Sequence, residues 1–392
     1  MKVAVLTQFF PPETFAGANR VAAMVAALAE VADVTVSAPE PTYPDPAAYA
    51  DAPAPVLPAG VRLVRVPPMG GRRGSWAARA VAEAALAARV ARAAARVPPD
   101  VVVASSPSMF LGPAALAAAR VRRARVVWDL RDLTWEYGKD GDVVTSPAAR
   151  VGIGVLARVM WSTARHVDLL TCANDGLGAA IRARLRGHRV EVVPNGIDEA
   201  LLRALDPAPS ASADRLRLLY AGLVGHAQGL EVLLDLAERA PELEITVAGD
   251  GPRRAPLEAE ARARGIGNVA FTGYVPRDEL VRLYRRSDVL FAQLQRSELH
   301  AVTAAPSKLL EYMAAGRPIV YAGEGSAAAL VERADAGVVV PPGDAAAIAS
   351  ALTTLTHDER IRLGRAARAY AEAVPTRVEA MRRLAALVVE QA

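Results

Sequence analysis

The stretch Pro306-Ser307-Lys308-Leu309-Leu310-Glu311-Tyr312-Met313-Ala314-Ala315-Gly316-Arg317-Pro318 predicts a short helix that Gly316 and Pro318 bring to an end. Lys308 and Glu311 stand near its start. A helix N-terminus presents free backbone N–H groups and a partial positive charge, which suit a diphosphate. Lys308 adds a point charge for the phosphates, and the carboxylate of Glu311 can accept two hydroxyl hydrogen bonds, as a ribose supplies. The stretch therefore predicts a nucleotide-sugar site.

Outward from this stretch, short β-branched runs alternate with longer Ala-rich helical runs, which is typical of an α/β protein with parallel sheets. Strands are predicted at Lys2–Thr7, Val34–Ser37, Val61–Val66, Val101–Ala104, Val126–Trp128, Leu169–Thr171, Val190–Val193, Leu216–Ala221, Glu244–Ala248, Val269–Phe271, Val289–Ala292, Pro318–Tyr321 and Val338–Val340. Helices are predicted at Ala18–Glu30, Trp76–Val97, Met109–Arg120, Ala148–Arg165, Gly176–Leu185 and Thr376–Glu390. The polar stretch ending with Pro207–Ser212 indicates an interdomain connection. Two doubly wound halves predict a cleft between the carboxyl ends of their strands.

Composition narrows the class of protein. The chain has 392 residues, 52% of them hydrophobic and 22% charged, which favours two folded domains. No apolar run reaches the roughly 18–20 residues that span a bilayer, and no secretory signal is expected, so a cytoplasmic protein is predicted. A single cysteine, Cys172, excludes an intramolecular disulfide. The net charge of +4 comes without a nucleic-acid recognition motif, and the five histidines show no metal-ligand spacing.

Several sequence blocks follow one another in a characteristic order. They are Gln8–Glu13, Ala104–Pro107, Trp128–Leu133, Val193–Asp198, Tyr220–Gly222, Gly249–Pro252, Asn268–Val269 with Gly273–Val275, and Pro306–Pro318. The ordered set resembles the large retaining family of GT-B glycosyltransferases. It is most similar to the bacterial subgroup associated with O-antigen and capsule N-acetylaminosugar transfer. The likeness covers essentially the whole chain, and Asp140-Gly141-Asp142, which spells a metal motif of another glycosyltransferase fold, is interpreted as a turn.

The resemblance implies a GT-B fold, with two Rossmann-like doubly wound domains facing a central cleft. It implies an acceptor domain at residues 1–197, a nucleotide-sugar domain at 198–375, and a terminal helix, 376–392, packing back on the first domain. It also implies transfer from a UDP-sugar with retention and without a metal or other cofactor, to a lipid-linked or surface-polysaccharide acceptor. A soluble small-molecule acceptor, as in antibiotic tailoring, stays open. So do a non-catalytic nucleotide-sugar-binding protein and, with weaker support, a UDP-sugar epimerase.

The resemblance assigns most donor contacts to the C-terminal half. Glu311 matches the second glutamate of the family's E-x(7)-E motif, but Thr303 stands where the first is expected, and Glu298 or His300 is a possible substitute. Gln228 lies in the run that replaces the family's G-R-x(4)-K-G pattern, so Lys308 becomes the main candidate cation. The other predicted nucleotide-sugar contacts are Gly17, Gly222, Gly251, Tyr274, Val275, Pro306, Ser307, Leu309 and Leu310.

In the N-terminal half, Arg131 stands where the family often has a histidine. Arginine stays protonated and so cannot act as a base, but it can clamp a phosphate or an acceptor through paired hydrogen bonds. A local Arg131–Asp ion pair is the alternative. Asp132 and Glu136 are predicted partners of acceptor hydroxyls, and Asn19 is either a ligand contact or a helix cap. The predicted catalytic residues are Arg131, Asp132, Lys308 and Glu311.

A basic helix, Ser75–Val97, carries Arg89, Arg92 and Arg96 beside a stripe formed by Leu86, Val90 and Val97. Such an amphipathic helix can rest on an anionic membrane surface, which predicts peripheral membrane association. A helix packed on the core with a solvated arginine face is the favoured interpretation, and membrane association is the alternative.

Overall fold

The computed structural model describes residues 1–13, 16–42, 46–49, 51–69, 76–137, 147–205, 215–297 and 308–392. They pack into two units, each described by itself below: unit 1 is Met1–Asn195 with Arg377–Ala392, and unit 2 is Gly196–Thr376. Several residues singled out in the sequence lie outside the described ranges. They are Asp140–Asp142, Pro207–Ser212, Glu298, His300, Thr303, Pro306 and Ser307.

Unit 1 is built on a parallel sheet of seven strands in the order β3-β2-β1-β4-β5-β6-β7. The strands are β1 (Lys2–Thr7), β2 (Asp33–Pro39), β3 (Val61–Val66), β4 (Val101–Ser105), β5 (Arg125–Leu130), β6 (Leu169–Cys172) and β7 (Val190–Val192). The helices are α1 (Ala16–Ala29), α2 (Trp76–Ala94), α3 (Leu111–Arg122), α4 (Thr134–Tyr137), α5 (Pro147–His166), α6 (Asp175–Arg184) and α15 (Arg377–Val389).

Both faces of the sheet in unit 1 are covered, which is why its central strands read as nearly continuous apolar runs. Residues of α1 and α15 pack on one face, together with Val3, Val5 and Val36. Residues of α2, α3, α5 and α6 pack on the other face, together with Leu6 and Trp128.

Unit 2 has a six-stranded parallel sheet in the order β10-β9-β8-β11-β12-β13. The strands are β8 (Arg217–Ala221), β9 (Glu244–Ala248), β10 (Val269–Gly273), β11 (Val289–Gln293), β12 (Ile319–Ala322) and β13 (Gly337–Val340). The helices are α7 (Glu199–Ala204), α8 (Glu231–Arg239), α9 (Arg254–Ala263), α10 (Arg277–Arg286), α11 (Lys308–Ala314), α12 (Gly325–Arg333), α13 (Ala345–Thr354) and α14 (His357–Ala373). Helices cover both faces of this sheet as well.

The two sheets share one connectivity. In each unit the first three strands run outward in the order 3-2-1, and the chain then crosses to place strand 4 beside strand 1. Ligands of such sheets bind outside the carboxyl ends of the strands, where the order reverses. That position lies between β1 and β4 in unit 1 and between β8 and β11 in unit 2.

The predicted strands are confirmed, each within two residues of its observed ends. The prediction for α2 is wrong at its end, because the helix stops at Ala94 instead of Val97. Pro98 follows Val97, and a residue before proline is disfavoured in the α region. Leu86 and Val90 of the apolar stripe on α2 are buried in the core of unit 1. The favoured interpretation of α2 as a core-packed helix with a solvated arginine face is therefore confirmed.

Candidate active site

The loops at the carboxyl edge of unit 2 lie in direct backbone contact between β8 and β9. The amide of Gly222 donates to the carbonyl of Ala248 at 2.8 Å, and the amide of Val224 donates to the carbonyl of Asp250 at 2.9 Å. Gly249 has a φ of +134°, and a Cβ there would lie 1.9 Å from the carbonyl oxygen of Gly222. Only glycine fits, because a side chain at Gly249 would force the two loops apart.

Lys308, the first residue of α11, places its ammonium beside this glycine loop. A Cβ built on Gly222, whose φ is +143°, would lie 2.6 Å from Nζ of Lys308. Nζ donates to Oη of Tyr220 at 2.7 Å, and that hydroxyl donates to the carbonyl of Leu223 at 2.5 Å. Among the described residues, no carboxylate forms an ion pair with Lys308. Desolvation lowers the pKa of Lys308 to about 7, although the nearby charge of Glu311 acts in the opposite direction.

Glu311 lies one turn along α11 and is oriented by a buried tyrosine. Oη of Tyr284 donates to Oε2 of Glu311 at 3.2 Å. Tyr312 anchors the same helix to the end of β8, since its hydroxyl accepts from the amide of Ala221 at 2.8 Å and donates to the carbonyl of Ala221 at 3.1 Å. The rings of Tyr284 and Tyr312 pack edge to face, 5.8 Å apart. The helix that carries Lys308 and Glu311 is therefore rigidly attached to the sheet.

Gln228 lies in the short 3-10 turn His226–Gln228 that follows the glycine loop. Its main-chain carbonyl accepts from Nε2 of Gln293, at the end of β11, at 3.0 Å. Its side-chain Oε1 is buried and has no hydrogen-bond partner within the described ranges. A buried acceptor without a partner costs free energy that a donor group on a ligand would recover.

The other predicted donor contacts are distributed unevenly. Tyr274 follows β10 and is 70% exposed, so its ring is accessible to a base, whereas Val275 is partly buried. The side chain of Leu309 is fully buried in the core and that of Leu310 partly so, which leaves only the main chain of Leu309 for contact with a ligand. Gly251 lies in the loop after β9, where a Cβ would meet the carbonyl of Val224 at 2.3 Å. Gly17 belongs to unit 1, at the start of α1.

In unit 1 the carboxyl edge is occupied by a buried ion pair. Nε and Nη2 of Arg20 donate to the two carboxylate oxygens of Asp129 at 3.1 and 2.8 Å, and both side chains are almost completely buried. Ser105 and Thr171 donate to the same carboxylate from β4 and β6. Burial alone would raise the pKa of Asp129, but the charge and hydrogen bonds of Arg20 together with Thr171 hold that pKa below its usual value.

Arg20 also binds the segment that follows β7. Its remaining N–H groups donate to the carbonyls of Val193 and Pro194 at 3.0 and 3.1 Å and to Oδ1 of Asn195 at 3.2 Å. The guanidinium therefore joins α1, β5 and the segment that follows β7. All five N–H groups of Arg20 have acceptors and its charge is matched by Asp129, so the pair is a structural element.

Arg131 and Asp132 follow β5 at the same edge. Among the described residues no ion pair joins Arg131 to an aspartate: Asp129 pairs with Arg20, and the amide of Arg131 donates to Oγ of Ser106 at 2.8 Å. Oδ1 of Asp132 is buried without a hydrogen-bond partner among the described residues. Burial raises the pKa of Asp132 to about 6, opposed by Arg131 and by the amide of Thr134.

Two predicted acceptor contacts have structural neighbours. Glu136 accepts a hydrogen bond from Nε1 of Trp161 at 2.6 Å, which ties α4 to α5. Asn19 lies in the first turn of α1, three residues after the helix begins, so the predicted role as a helix cap is wrong.

No group of three metal-ligating side chains occurs in the part of the chain that the structure describes. In the same part, every helix is too short or too polar to cross a bilayer.

The sequence assigned no role to Arg20, Tyr220, Tyr284 or Tyr312, although Tyr220 and Tyr312 lie in two of the blocks that carry the resemblance. A lone arginine in an Ala-rich helix carries no signal of burial, and its carboxylate partner is 109 residues away. Tyr312 stands inside the Pro306–Pro318 stretch. Its place one residue after Glu311 was the available hint that α11 buries an aromatic face.

Two family models match the chain. The Glycosyl transferase 4-like domain matches residues 16–196, and Glycosyl transferases group 1 matches residues 204–373. Together these ranges include most residues of both units.

Relatives and solved structures agree with these matches. The sulfoquinovosyl transferase SQD2 of Arabidopsis thaliana is 27% identical over 309 residues, covering 74% of this chain and 56% of that protein. The O-antigen chain mannosyltransferase C of Escherichia coli is 32% identical over 143 residues, or 36% and 37% of the two chains. The chain thus spans about half or less of these relatives' lengths. Anabaena HepE, solved in complex with UDP and glucose, superposes with a TM-score of 0.68 at 18% identity over 100% of both chains, which shows the fold.

The strand orders of the two units and the structural likeness show the GT-B fold, and the two matched models lead to one conclusion: the chain belongs to the family of the Glycosyl transferases group 1, with a Glycosyl transferase 4-like domain in its first half.

Proposed function

We propose that this glycosyltransferase moves a sugar, an N-acetylaminosugar, from a UDP-linked donor to a lipid-linked or surface-polysaccharide acceptor, with retention at the anomeric carbon and without a metal. The observation that carries the proposal is the ammonium of Lys308. It lies beside Gly222 where the strand order reverses in unit 2, and a neutral tyrosine is its hydrogen-bond partner.

Breaking a glycosyl–phosphate bond leaves additional negative charge on the departing diphosphate. A cation already aimed at those oxygens stabilises that charge without reorganising, and it acts strongly where water is excluded. Lys308 meets both conditions, since its side chain is desolvated and its helix is fastened to β8 through Tyr312. In this proposal the diphosphate takes the place of Tyr220 as partner of Nζ.

The nucleoside is held by the neighbouring groups. Glu311, oriented by Tyr284, accepts the ribose hydroxyls, and the exposed ring of Tyr274 stacks on the uracil. The unpaired Oε1 of Gln228 supplies an acceptor for a hydroxyl or an acetamido N–H of the donor sugar. Two such charge-assisted hydrogen bonds at Glu311 contribute roughly 1.5–3 kcal/mol each.

In unit 1, Asp132 offers a buried carboxylate oxygen without a partner among the described residues, suited to a hydroxyl of the acceptor. Arg131, next in sequence, contacts a phosphate of the acceptor or the donor. In a retaining transfer the proton of the acceptor hydroxyl passes to the donor's own phosphate, so no side chain has to act as a base. The role of Asp132 in this proposal is to orient the hydroxyl. A polysaccharide or lipid-linked acceptor draws support from the O-antigen relative.

The test is UDP release from UDP–N-acetylglucosamine in the presence of a chelator, with and without a bacterial lipid extract. We expect release that depends on the extract, survives the chelator, and is lost in Lys308→Met but not in Arg286→Met, a change at an exposed arginine of α10. NMR of the product's anomeric proton then reports the stereochemistry.

Three results would contradict the proposal: loss of turnover on chelation, an inverted product, or a clear preference for GDP- or dTDP-sugars over every UDP-sugar. Turnover with water-soluble aminocyclitols and none with lipid extract would replace the acceptor class by the small-molecule alternative.

A further inference from the structure

Helix α5 exposes an apolar stripe that no described residue covers. Val151, Val155 and Val159 are 69%, 51% and 49% exposed, and their spacing of four residues aligns them along one face. The opposite face of α5 packs into the core through Ala157, Met160 and Ala164. Single exposed valines are ordinary, but three in a row on one helix form a continuous apolar surface.

The surroundings of this stripe are basic. Arg158 and Arg165 lie on the same exposed side of α5, and α5 contains no Asp or Glu. The three helices α2, α3 and α5, which share one face of the sheet, together carry eight arginines and one acidic residue, Glu83. Unit 1 as a whole has 26 Lys or Arg against 18 Asp or Glu, a formal net charge of +8, whereas unit 2 has 20 against 24, or −4.

The direction of α5 relates this surface to the candidate acceptor residues. The helix connects β5 to β6, which are parallel neighbours, so it must run antiparallel to the strands. Its first residues therefore lie toward the carboxyl edge of unit 1, where Asp132 follows β5. The exposed valines occupy the part of α5 that begins at this edge, and Arg165 lies at the far end.

We propose that the exposed face of α5, with Val151, Val155 and Val159 flanked by Arg158 and Arg165, docks on an anionic membrane surface. The valines enter the boundary between headgroups and acyl chains, while the arginines contact lipid phosphates. The basic face of α2 faces the same side of unit 1 and adds long-range attraction. A polyanion such as nucleic acid would satisfy the arginines but offers nothing to the valines.

The purpose of this docking rests on the proposed function, because a lipid-linked acceptor would be met at the membrane. The test of the docking is independent of that function, because vesicle binding needs neither donor nor acceptor. A failure to bind vesicles therefore leaves the UDP-release experiment standing, and a failure of that experiment leaves the vesicle result standing.

The experiment is flotation of the full chain with 100 nm vesicles of phosphatidylglycerol and phosphatidylcholine, compared with phosphatidylcholine alone. We expect binding to the anionic vesicles at low salt and a steep loss as salt is raised, because surface charges are screened. Val155→Ser/Val159→Ser, which keeps the net charge, should weaken partition about tenfold. Arg158→Gln/Arg165→Gln should weaken it about 25-fold, or about fivefold per arginine.

The matched control is Val31→Ser/Val56→Ser, which removes two exposed valines of unit 1 outside α5 and should leave partition unchanged. Circular dichroism and denaturant unfolding followed by tryptophan fluorescence verify that every variant is folded. Equal binding to neutral vesicles, no binding at low salt, or full binding by the valine variant would overturn the proposal. So would a dimer in solution that Val155→Ser/Val159→Ser dissociates, because a second copy would then be the occupant.

Discussion

The carboxyl edges of the two units are built on the same strand order, yet they treat charge in opposite ways. In unit 1 the guanidinium of Arg20 is matched by the carboxylate of Asp129. Residues of β4 and β6 complete the hydrogen bonds of Asp129, and the segment that follows β7 completes those of Arg20. In unit 2 the ammonium of Lys308 has an uncharged phenol as its hydrogen-bond partner. One edge holds a charge pair that compensates itself, and the other holds a cation that a ligand can compensate.

This difference separates structural from functional charge on one scaffold. A buried pair with complete hydrogen bonds costs about as much to desolvate as it returns, so its main effect is to join the elements it touches. Burial disfavours the protonated form of a lysine with a pKa near 7, and a bound anion would stabilise that form. The following predictions test this contrast, beginning with the largest expected effect.

Removing one member of the pair in unit 1 should strongly destabilise that unit. Arg20→Met leaves Asp129 buried without its cation, which costs about 3–5 kcal/mol. All four tryptophans belong to unit 1, so denaturant unfolding followed by tryptophan fluorescence reports this unit selectively. The double change Arg20→Met/Asp129→Leu should regain much of the loss. Unchanged unfolding of the single variant would show that the pair is not a structural element.

Removing the cation of unit 2 should affect turnover more than folding. Lys308→Met should lower kcat about 10²–10³-fold, because one charged donor to the leaving group is lost. Its unfolding should change little, since the buried partner left behind is an uncharged hydroxyl. Steady-state UDP release checks this, with Arg286→Met as the control. A loss confined to the acceptor KM would contradict the phosphate role.

Replacing Asp132 should raise the stability of unit 1 and lower turnover. Because burial raises its pKa to about 6, the ionised carboxylate is disfavoured in the fold, and this cost develops as pH rises from about 4 through 6. Asp132→Asn should therefore stabilise unit 1 by up to about 3 kcal/mol at pH 7.5 and by nothing at pH 4. The same variant should lose turnover. Tryptophan fluorescence at the two pH values checks the sign, and equal gains at both would refute the assignment.

Donor binding should take up a proton at Lys308. The free protein has a pKa near 7 at this lysine, and a bound diphosphate raises it, so uptake is absent well below pH 7 and approaches one proton above it. Affinity for a UDP-sugar should then fall about tenfold per pH unit above 7. Calorimetry in buffers of different ionisation enthalpy measures the uptake. Lys308→Met should show none, and uptake that persists in this variant would point to another group.

The smallest effect is expected at the ribose contact. Glu311→Ala should raise the donor KM about tenfold or more, and Tyr284→Phe less, because it removes one hydrogen bond to the carboxylate and leaves the carboxylate in place. Glu332→Ala, at an exposed position of α12, is the control. An unchanged KM in Glu311→Ala would remove the ribose assignment.

The sequence predicted those features that depend on local pattern. The strands were recovered because each is a short β-branched run, and α11 was recovered because Gly316 and Pro318 end it. The apolar stripe on α2 left two interpretations open, because helical spacing identifies an apolar face without telling whether a sheet covers it. For the same reason the exposed valines of α5 were overlooked.

Features that depend on distant contacts did not follow from the sequence. The pairing of Arg20 with Asp129 joins α1 to β5, and nothing near Arg20 distinguishes it from a surface arginine. Lys308 was expected beside a phosphate, but its contact with Tyr220 depends on the close approach at Gly222, which only the folded loops create. Local pattern thus located the candidate site, and tertiary contacts determined which charges are compensated.

The most direct test of the central claim is a crystal structure of the protein with UDP bound in the presence of a chelator. The account predicts that the diphosphate lies between the Gly222 loop and Lys308, with Nζ about 2.7–2.9 Å from a phosphate oxygen and Glu311 accepting from the ribose. A nucleotide bound to unit 1, or one that leaves Lys308 on Tyr220, would contradict it.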